Sequence, residues 1–232
     1  MDKLAIARTV LAQAEQRAGL HVLRSETPQA QLNGEVAASD YHVPQYLQAA
    51  LPHGIPRRGV VSIRGSNFFA LVLAGIASKQ NAWVVFLGAP DVGWACAEHL
   101  GLQVHRIAHV PNVASQGAQV VSAAIDGFDV VVIGNVVLDA RERRVLHRRA
   151  LSKGTLLIAM NWPHANLEVS CEQLAGRGIE GGIGHVRCVD YAIATRRGTS
   201  QISHGADGVA PMAGEHLGGV PSVMAVPNRG GA

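Results

Sequence analysis

The turn after the first apolar strand of the central region contains residue types that could bind phosphate. The strand pattern Val60–Arg64 is followed by Gly65, Ser66 and Asn67, and a helical pattern begins at Phe68. A glycine-rich turn at such a junction binds nucleotide phosphates through backbone amides and through the lysine of a terminal Gly-Lys-Ser/Thr. This turn has no lysine, no second glycine and too few residues to wrap a triphosphate. It therefore predicts a degenerate loop and no nucleotide cofactor.

A second requirement of nucleotide hydrolysis is a carboxylate that holds Mg²⁺ at the carboxyl end of a later strand. The apolar strand Phe128–Ile133 continues into Gly134 and Asn135, while Asp129 stands at its beginning. The strand ending at Leu87 is followed by Gly-Ala-Pro, with an aspartate only after these residues. We therefore predict a pseudo-ATPase and no catalytic residues. An NTPase with an unconventional loop is a weaker alternative, because the carboxylate is missing as well.

Two other kinds of site are weakly indicated. Ser62 and Ser66 lie near the loop, but no G-x-S-x-G motif or neighbouring Asp/His pattern marks either serine as a nucleophile. The grouping with metal-ligand residue types consists of His164, Cys171, His185 and Cys188. Since His185 and Cys188 are three residues apart, a strand places their side chains on opposite faces. We predict no metal site. The three cysteines are odd in number and contain no C-x-x-C pair, which fits a reducing compartment and no disulfide framework.

A run of arginines predicts a basic helix. The segment Asp139–Lys153 begins with the spacing of a capping box between Asp139 and Glu142. At 3.6 residues per turn one stripe of this helix contains Arg141, Arg144 and Arg148, with Arg149 beside it, whereas Leu146 and Ala150 can face the sheet. The arginines are candidates for a solvated face, for a surface that binds an acidic protein, or for contact with DNA phosphates. All three interpretations remain open.

Two smaller basic clusters lie at the ends of predicted strands. One cluster consists of Arg57, Arg58 and Arg64, and the other of Arg196 and Arg197. Strand ends in parallel sheets often line ligand clefts. They are also places where a chain reaches solvent, and that interpretation is the simpler one.

These residues are positioned by a regular alternation of strand and helix patterns. Continuous apolar runs of four to six residues are typical of strands buried on both faces, so the alternation predicts a parallel α/β sheet. Strands are predicted at Val60–Arg64, Ala82–Leu87, Val104–Ala108, Phe128–Ile133, Gly154–Met160 and His185–Thr195. Helices are predicted at Phe68–Lys79, Gly93–Leu100, Val113–Ala124 and Asp139–Leu151.

The two ends of the chain have different patterns. Residues 2–19 form an amphipathic pattern, and a connector with a possible short helix at Pro44–Leu51 completes an N-terminal region of residues 1–50. Residues 51–197 are the predicted core. Residues 198–232 contain eight glycines and three prolines and are predicted to be a flexible tail. This tail contains an apolar segment that is either inert or folds on a partner, with Val220, Val223, Met224 and Val226 as its candidate contact residues.

The core resembles the RecA-type ATPases. The similarity lies in the approach Leu-Pro-x-Gly-Ile-Pro-Arg-Arg-Gly, in the first strand Val-Val-Ser-Ile-x-Gly, and in the strands Phe-Asp-Val-Val-Val-Ile and Gly-Thr-Leu-Leu-Ile-Ala-Met-Asn. Within that group, the shortened loop, the small size and the glycine-rich end are most similar to the actinobacterial ImuA-type (ImuA-prime) mutasome accessory proteins. The resemblance implies a RecA-like core, and a non-catalytic partner of an ImuB-like, Y-family-related subunit and of an error-prone DnaE-type polymerase in translesion synthesis.

From this resemblance we expect an adaptor of a DNA-damage-induced polymerase complex, with self-association through the N-terminal helix as a further expectation. The alternative is a DNA-binding, RecA-like modulator of recombination that uses the arginine-rich helix.

Composition excludes several other classes of protein. The 232 residues are 48% hydrophobic, 16% charged and 4% aromatic, with a net charge of +3, which argues against a long disordered, acidic or coiled-coil chain. The apolar runs are far shorter than the roughly 20 residues that cross a bilayer. The first residues lack the unbroken apolar stretch of a secretory signal. We therefore expect no membrane partner and a cytoplasmic protein. The resemblance to the ImuA-type proteins further implies that it is nucleoid-associated when DNA is damaged.

Overall fold

In the computed structural model, residues 40–113, 116–180 and 183–212 are described, and these form one nine-stranded sheet flanked by helices. The strands are β1 (Gly59–Gly65), β2 (Val84–Leu87), β3 (Ile107–Val110), β4 (Val130–Ile133), β5 (Leu156–Met160), β6 (Leu167–Glu180), β7 (Ile183–Thr195), β8 (Gly198–Gly205) and β9 (Gly208–Pro211). The helices are α1 (Phe68–Lys79), α2 (Trp94–His99), α3 (Gly117–Gly127) and α4 (Ala140–Lys153), and single 3₁₀ turns occupy Gln45–Leu47 and Val104–Arg106. No helix within these ranges is long and apolar enough to span a membrane.

The sheet is parallel on one side and antiparallel on the other. Its strand order is β3-β2-β4-β5-β1-β6-β7-β8-β9. Neighbouring strands from β3 to β6 are parallel, and those from β6 to β9 are antiparallel. The predicted fold class, an α/β core with a mostly parallel sheet flanked by helices, is confirmed. The carboxyl ends of six parallel strands therefore meet at one edge of the sheet.

Alternate residues of β1 separate two hydrophobic layers. Val61 and Ile63 belong to the layer that contains α1 and α2, and Val60 belongs to the layer that contains α3 and α4. The continuous apolar runs of the central strands follow from burial on both faces. Leu146 and Ala150 of α4 are buried against the sheet, as the periodicity predicts.

Most predicted elements are present, with shifts at their ends. Helix α1 has the predicted bounds. The segment predicted as a strand from Val104 begins instead with a 3₁₀ turn, and β3 starts at Ile107. Helix α3 starts at Gly117, later than its predicted start at Val113. Strand β6 was not predicted at all, because its exposed part has neither a continuous apolar run nor a regular alternation.

The prediction of a flexible tail from residue 198 is wrong for residues 198–211, which form β8 and β9. Strand β8 pairs with β7 along its whole length and buries Ser200 and Ile202 on one face. An antiparallel strand with one solvated face needs few apolar residues, so glycine-rich composition concealed it. Residues 213–232, including the candidate contact residues from Val220 to Val226, lie outside the described part.

The predicted boundary at residue 50 also falls inside the core. Tyr41 and Ile55 exchange backbone hydrogen bonds of 2.8 and 3.0 Å, and Tyr41, Leu47 and Ala50 are buried. Residues 40–50 are therefore part of the folded unit. The predicted amphipathic helix at residues 2–19 lies outside the described residues.

Candidate functional site

The loop between β1 and α1 packs directly against β6. Gly65 has φ +88°, and a Cβ at this position would lie 2.2 Å from the carbonyl oxygen of Cys171. The Ser66 N–H donates to that same carbonyl oxygen at 2.8 Å. The glycine is thus required by the close approach of two strands, and the loop has no space on this side for a phosphate.

The first amides of α1 have acceptors within the protein. The Phe68 N–H donates to Ser66 Oγ at 3.3 Å, and the Ala70 N–H donates to the carbonyl oxygen of Asn67 at 3.0 Å. The Phe69 amide donates to the buried Cys171 thiol. Unsatisfied amides at a helix start are what bind anions in phosphate loops. In this loop these donors are already occupied.

The Cys171 thiol is neutral at physiological pH. Burial raises the pKa of this thiol to about 11, although the amides of Phe69 and Ser66 partly oppose the rise. A neutral thiol beneath the loop adds no charge to it.

The first side chain of α1 joins the helix to the antiparallel strands. The Phe68 ring stacks on Tyr191 of β7, with 4.7 Å between centroids and 17° between planes, and lies 4.6 Å from the ring of His204 on β8. His204 Nε2 lies 3.4 Å from Cys96 Sγ of α2. Burial, with a smaller contribution from neighbouring His99, lowers the pKa of His204. This stack closes one side of the loop with aromatic rings.

The carboxyl ends of β2 and β4 lead into short loops that are hydrogen-bonded to each other. The Asn135 N–H donates to the Gly88 carbonyl oxygen at 2.6 Å, and the Gly134 N–H donates to the Leu87 carbonyl oxygen at 2.8 Å. Asp129 lies at the opposite edge of the sheet, where its carboxylate accepts the Trp83 N–H at 2.8 Å. The β4 carboxylate is therefore engaged far from the loop.

A cavity of about 410 Å³ lies between the start of α1 and the loops that follow β2 and β4. Its floor is made by apolar side chains of the strands, including Phe86, Val132 and Ile158. The residues that line it include no lysine, arginine or histidine, and Asp91 is its one ionisable side chain. The cavity occupies the edge at which parallel sheets commonly bind ligands, but it offers no cation to a phosphate.

The basic helix is capped as predicted, and its arginines have different surroundings. Arg141, Arg144 and Arg148 are exposed and form no ion pair within the described residues. Arg149 instead forms an ion pair with Asp126 of α3. The stripe thus contains three free cations, whereas Arg149 is a structural residue.

The structure brings together parts of the two strand-end clusters. Arg64 of β1 and Arg196 of the β7–β8 turn both approach the Glu168 carboxylate, at 4.0 and 3.9 Å. Arg197 is exposed in the same turn. Arg57 lies instead at the amino end of β1, with its guanidinium 4.1 Å from the centre of the Tyr41 ring. Arg58 precedes β1 and is exposed.

The described residues contain no group of three or more His, Cys, Asp or Glu side chains that could hold a metal ion. The three cysteines are free thiols. Within the loop, Ser66 contacts Tyr191, where its hydrogen bond partly opposes the rise that burial causes in the pKa of that phenol. Ser62 accepts the Trp162 N–H at 2.8 Å. Both serines therefore have structural contacts.

Sequence reasoning missed the residues that close the loop. Tyr191, His204 and Cys96 come from three different elements, and no local spacing links them to Phe68. A signal was present only in Phe68 itself, an aromatic residue at the start of a helix where a phosphate loop would place a polar one.

The fold and the cleft define an α/β protein with an uncharged, apolar cavity at the carboxyl edge of a parallel sheet. Residues 49–164 match the family model described as the MT3502 N-terminal domain, and the chain belongs to this family.

Two further proteins are similar to the chain. The "Uncharacterized protein Rv3395c" of Mycobacterium tuberculosis (strain ATCC 25618 / H37Rv) is 34% identical over 103 residues, which cover 43% of this chain and 50% of that protein. The chain thus spans about half the length of this curated relative. The KaiC-like protein PH0186 of Pyrococcus horikoshii OT3 is 12% identical with a TM-score of 0.49, covering 75% of this chain and 98% of that one. The latter similarity concerns the fold alone.

Proposed function

We propose that this protein is a RecA-like pseudo-ATPase of the ImuA type, a non-catalytic adaptor in a translesion-synthesis complex. The observation that carries the proposal is the occupied loop: the amides of Ser66, Phe68, Phe69 and Ala70 donate to groups of the protein itself. A phosphate-binding loop keeps such donors free for its ligand. No cation lines the adjoining cavity to replace the missing lysine.

The RecA-like assignment is supported by the position of the motif strands. The three strands with RecA-like sequences, β4, β5 and β1, are consecutive neighbours in the sheet. The degenerate loop follows β1, the central strand of the nine-stranded sheet, at the carboxyl edge of the parallel part. A sheet suited to phosphate binding but without the binding groups retains its surfaces for protein contacts.

The partners in this proposal are an ImuB-like, Y-family-related subunit and, through it, an error-prone DnaE-type polymerase. The support is the resemblance in sequence motifs together with the cleft that lacks phosphate-binding groups. The segment from Val220 to Val226 is the proposed contact region of the chain's end, and self-association is a further part of the proposal.

Nucleotide binding tests the pseudo-ATPase part. We expect isothermal calorimetry with ATP and Mg²⁺ to detect no heat of binding, because neither the loop amides nor a lysine is available. A RecA-type ATPase with an intact loop, measured in the same buffer, is the positive control. A micromolar dissociation constant for the full chain would overturn this part.

Co-purification with an ImuB-like subunit tests the adaptor part. The two chains are co-expressed, with an affinity tag on the subunit alone, and the full chain is compared with one that ends at Met212. Ending at Met212 preserves β8 and β9, which a truncation near residue 198 would remove. We expect the full chain to be retained and the truncated one to be lost. Retention of neither chain contradicts the adaptor, and equal retention contradicts the role of the end segment.

DNA binding is the second candidate, favoured by the exposed stripe of Arg141, Arg144 and Arg148. Each phosphate contact by an arginine makes affinity salt-dependent. If this candidate holds, R144E weakens a salt-sensitive shift of short duplex DNA, and R187E, a matched charge reversal at an exposed position of β7, does not. Equal effects of the two variants, or no shift at all, argue against a specific DNA surface.

A further inference from the structure

The cavity at the carboxyl edge of the parallel strands is formed by residues of the core. Its floor consists of the core residues Phe86, Val132 and Ile158, each of which is at most 6% exposed. Helix α1 contributes Ala70 and Leu71 to one wall. Its volume of about 410 Å³ is sufficient for one large aliphatic or aromatic side chain with part of its backbone. Nothing in the described structure fills this space.

The mouth of the cavity is held in place by hydrogen bonds between its loops. The Gly88 N–H donates to the carbonyl oxygen of Val110 at 2.8 Å, and Gly88 accepts the Asn135 N–H at 2.6 Å. His109 Nε2 lies 2.8 Å from the Ala89 carbonyl oxygen. Loops fixed in this way form a preorganised site, so binding does not require that they first become ordered.

The charge of the lining selects against anions. Asn67, Asp91 and Asn135 are the polar side chains of the lining, and no basic residue accompanies them. Asp91 is exposed and has no ion pair or hydrogen bond within the described part of the chain. An uncompensated carboxylate at the mouth repels phosphate and attracts a cationic group.

The surroundings of the cavity are apolar and exposed. Trp94 is 38% exposed and packs edge-on against Phe86, with 5.6 Å between centroids, and against His109, with 4.9 Å. An exposed aromatic residue beside a pocket is typical of protein-binding surfaces, in which one inserted side chain supplies most of the affinity.

We propose that this cavity is a docking site for a peptide segment of a partner protein, which inserts one large apolar side chain and places a lysine or arginine against Asp91. The inference rests on the proposed function, because a cleft that bound nucleotide would not be free for a peptide. The exposed Trp94 beside Phe86 favours a peptide over a small molecule, since it extends the apolar contact surface beyond the cavity. Because the lining contains no basic residue and Asp91 is unpaired, the occupant is expected to carry a positive charge and no phosphate.

Selection from a displayed library of random 12-residue peptides on the full chain tests the proposal. We expect enrichment of sequences with Leu, Phe or Trp within two or three positions of Lys or Arg. A fluorescein-labelled synthetic copy of an enriched peptide is then titrated by anisotropy. Absence of enrichment, or enrichment of acidic sequences, overturns the proposal.

Variants locate the bound peptide. Ala89→Phe fills the mouth and is expected to weaken peptide binding about tenfold or more, because it displaces the inserted side chain. Ala123→Phe, at an exposed position of α3, is the matched control and leaves binding unchanged. Ala70→Leu fills the same cavity from α1 and replaces Ala89→Phe if that variant does not fold. Equal binding by a folded cavity-filling variant and the control overturns the proposal.

The role of the Asp91 carboxylate is tested separately. Asp91→Asn is expected to weaken binding about threefold at low salt and to abolish the preference for Lys or Arg, whereas Glu98→Gln on α2 does neither. An unchanged preference in Asp91→Asn contradicts the cationic part of the proposal. Calorimetry with ATP distinguishes failure of the proposed function from failure of this inference. Binding of ATP contradicts the proposed function, whereas absence of both ATP binding and peptide enrichment contradicts only the peptide-docking inference.

Discussion

At the scale of single residues, the side chains around the loop explain why it is closed to phosphate. Phe68 occupies the helix start and stacks on Tyr191 and His204, and the buried Cys171 takes the Phe69 amide. Each contact serves packing and at the same time removes a group that could hold an anion. A lysine alone, introduced into this loop, is therefore not expected to create a phosphate site.

Replacement of Phe68 tests this explanation. We expect Phe68→Ala to lower the free energy of unfolding by about 2 kcal/mol, because it removes a half-buried ring from two aromatic contacts. Phe68→Leu should lower the free energy of unfolding by less, since leucine keeps part of the apolar volume. Phe68→Lys should bind no ATP, because the loop amides stay occupied. Urea unfolding and calorimetry measure the two effects, and a change below about 0.5 kcal/mol in Phe68→Ala would show that the stack is incidental.

The buried thiol of Cys171 and the buried phenol of Tyr41 lead us to expect a loss of stability at alkaline pH. Burial raises the pKa of Cys171 from 9.0 to about 11 and that of Tyr41 from 10.0 to about 12. The unfolded chain then releases these protons before the folded chain does. The stabilising contribution is complete below pH 9 and is lost as the pH rises from 9 to 12. Since one pKa unit corresponds to about 1.4 kcal/mol, each group accounts for at most about 3 kcal/mol.

Urea midpoints between pH 8 and 11 measure this loss. Cys171→Ala is expected to flatten the decline of stability between pH 9 and 11. Parallel declines in the parent and in Cys171→Ala would contradict the assignment to this thiol.

At the scale of elements, α4 is the best-defined unit of the sequence. Asp139 accepts the Glu142 N–H at 2.7 Å and Glu142 accepts the Asp139 N–H at 2.8 Å, which completes a capping box. Gly154 ends the helix with φ +78°. The helix is therefore held at both ends while it presents its arginine stripe to solvent.

Removal of the cap gives an element-scale prediction. Asp139→Ala should lower the free energy of unfolding by about 1 kcal/mol, because the first-turn amide loses its acceptor. Asp139→Asn keeps a hydrogen-bond acceptor and should lower the free energy of unfolding by only a few tenths of a kcal/mol. Denaturant unfolding of the three proteins provides the measurement, and equal losses in both variants would indicate that charge rather than the hydrogen bond is responsible.

At the scale of the whole molecule, the antiparallel strands complete the fold. Strand β8 covers β7, and Ser200 Oγ accepts the Ala50 N–H at 3.1 Å while Thr195 Oγ1 donates to the Ala50 carbonyl oxygen at 2.6 Å. Ile202 is fully buried in the layer of α1. The end of the sheet thus fastens residues 40–50 to the core.

Two truncations test this role. A chain that ends at Arg197 loses β8 and β9, exposes Tyr191 and Ile193, and should lose most of its stability and aggregate. A chain that ends at Met212 should unfold cooperatively near the midpoint of the full protein. Circular dichroism during heating compares them, and a cooperative transition in the shorter chain would show that β8 and β9 are dispensable.

The sequence by itself determined the elements whose signals are local. Strands β1, β2, β4 and β5 follow from continuous apolar runs of strand length, α1 from an apolar run long enough for a helix, and α4 from its capping box and buried stripe. The missing lysine and the position of Asp129 were visible because phosphate chemistry depends on residues adjacent in sequence. These features identified the fold class and the degenerate loop.

Only the tertiary structure decided what surrounds the loop between β1 and α1. Strands β6, β8 and β9 have one solvated face, so their patterns are weak and their pairing depends on neighbours from distant parts of the chain. The stack of Phe68 on Tyr191 and His204, the pairing of Arg64 and Arg196 with one carboxylate, and the cavity beside Asp91 all join residues far apart in sequence. Such contacts arise from packing, which local periodicity does not encode.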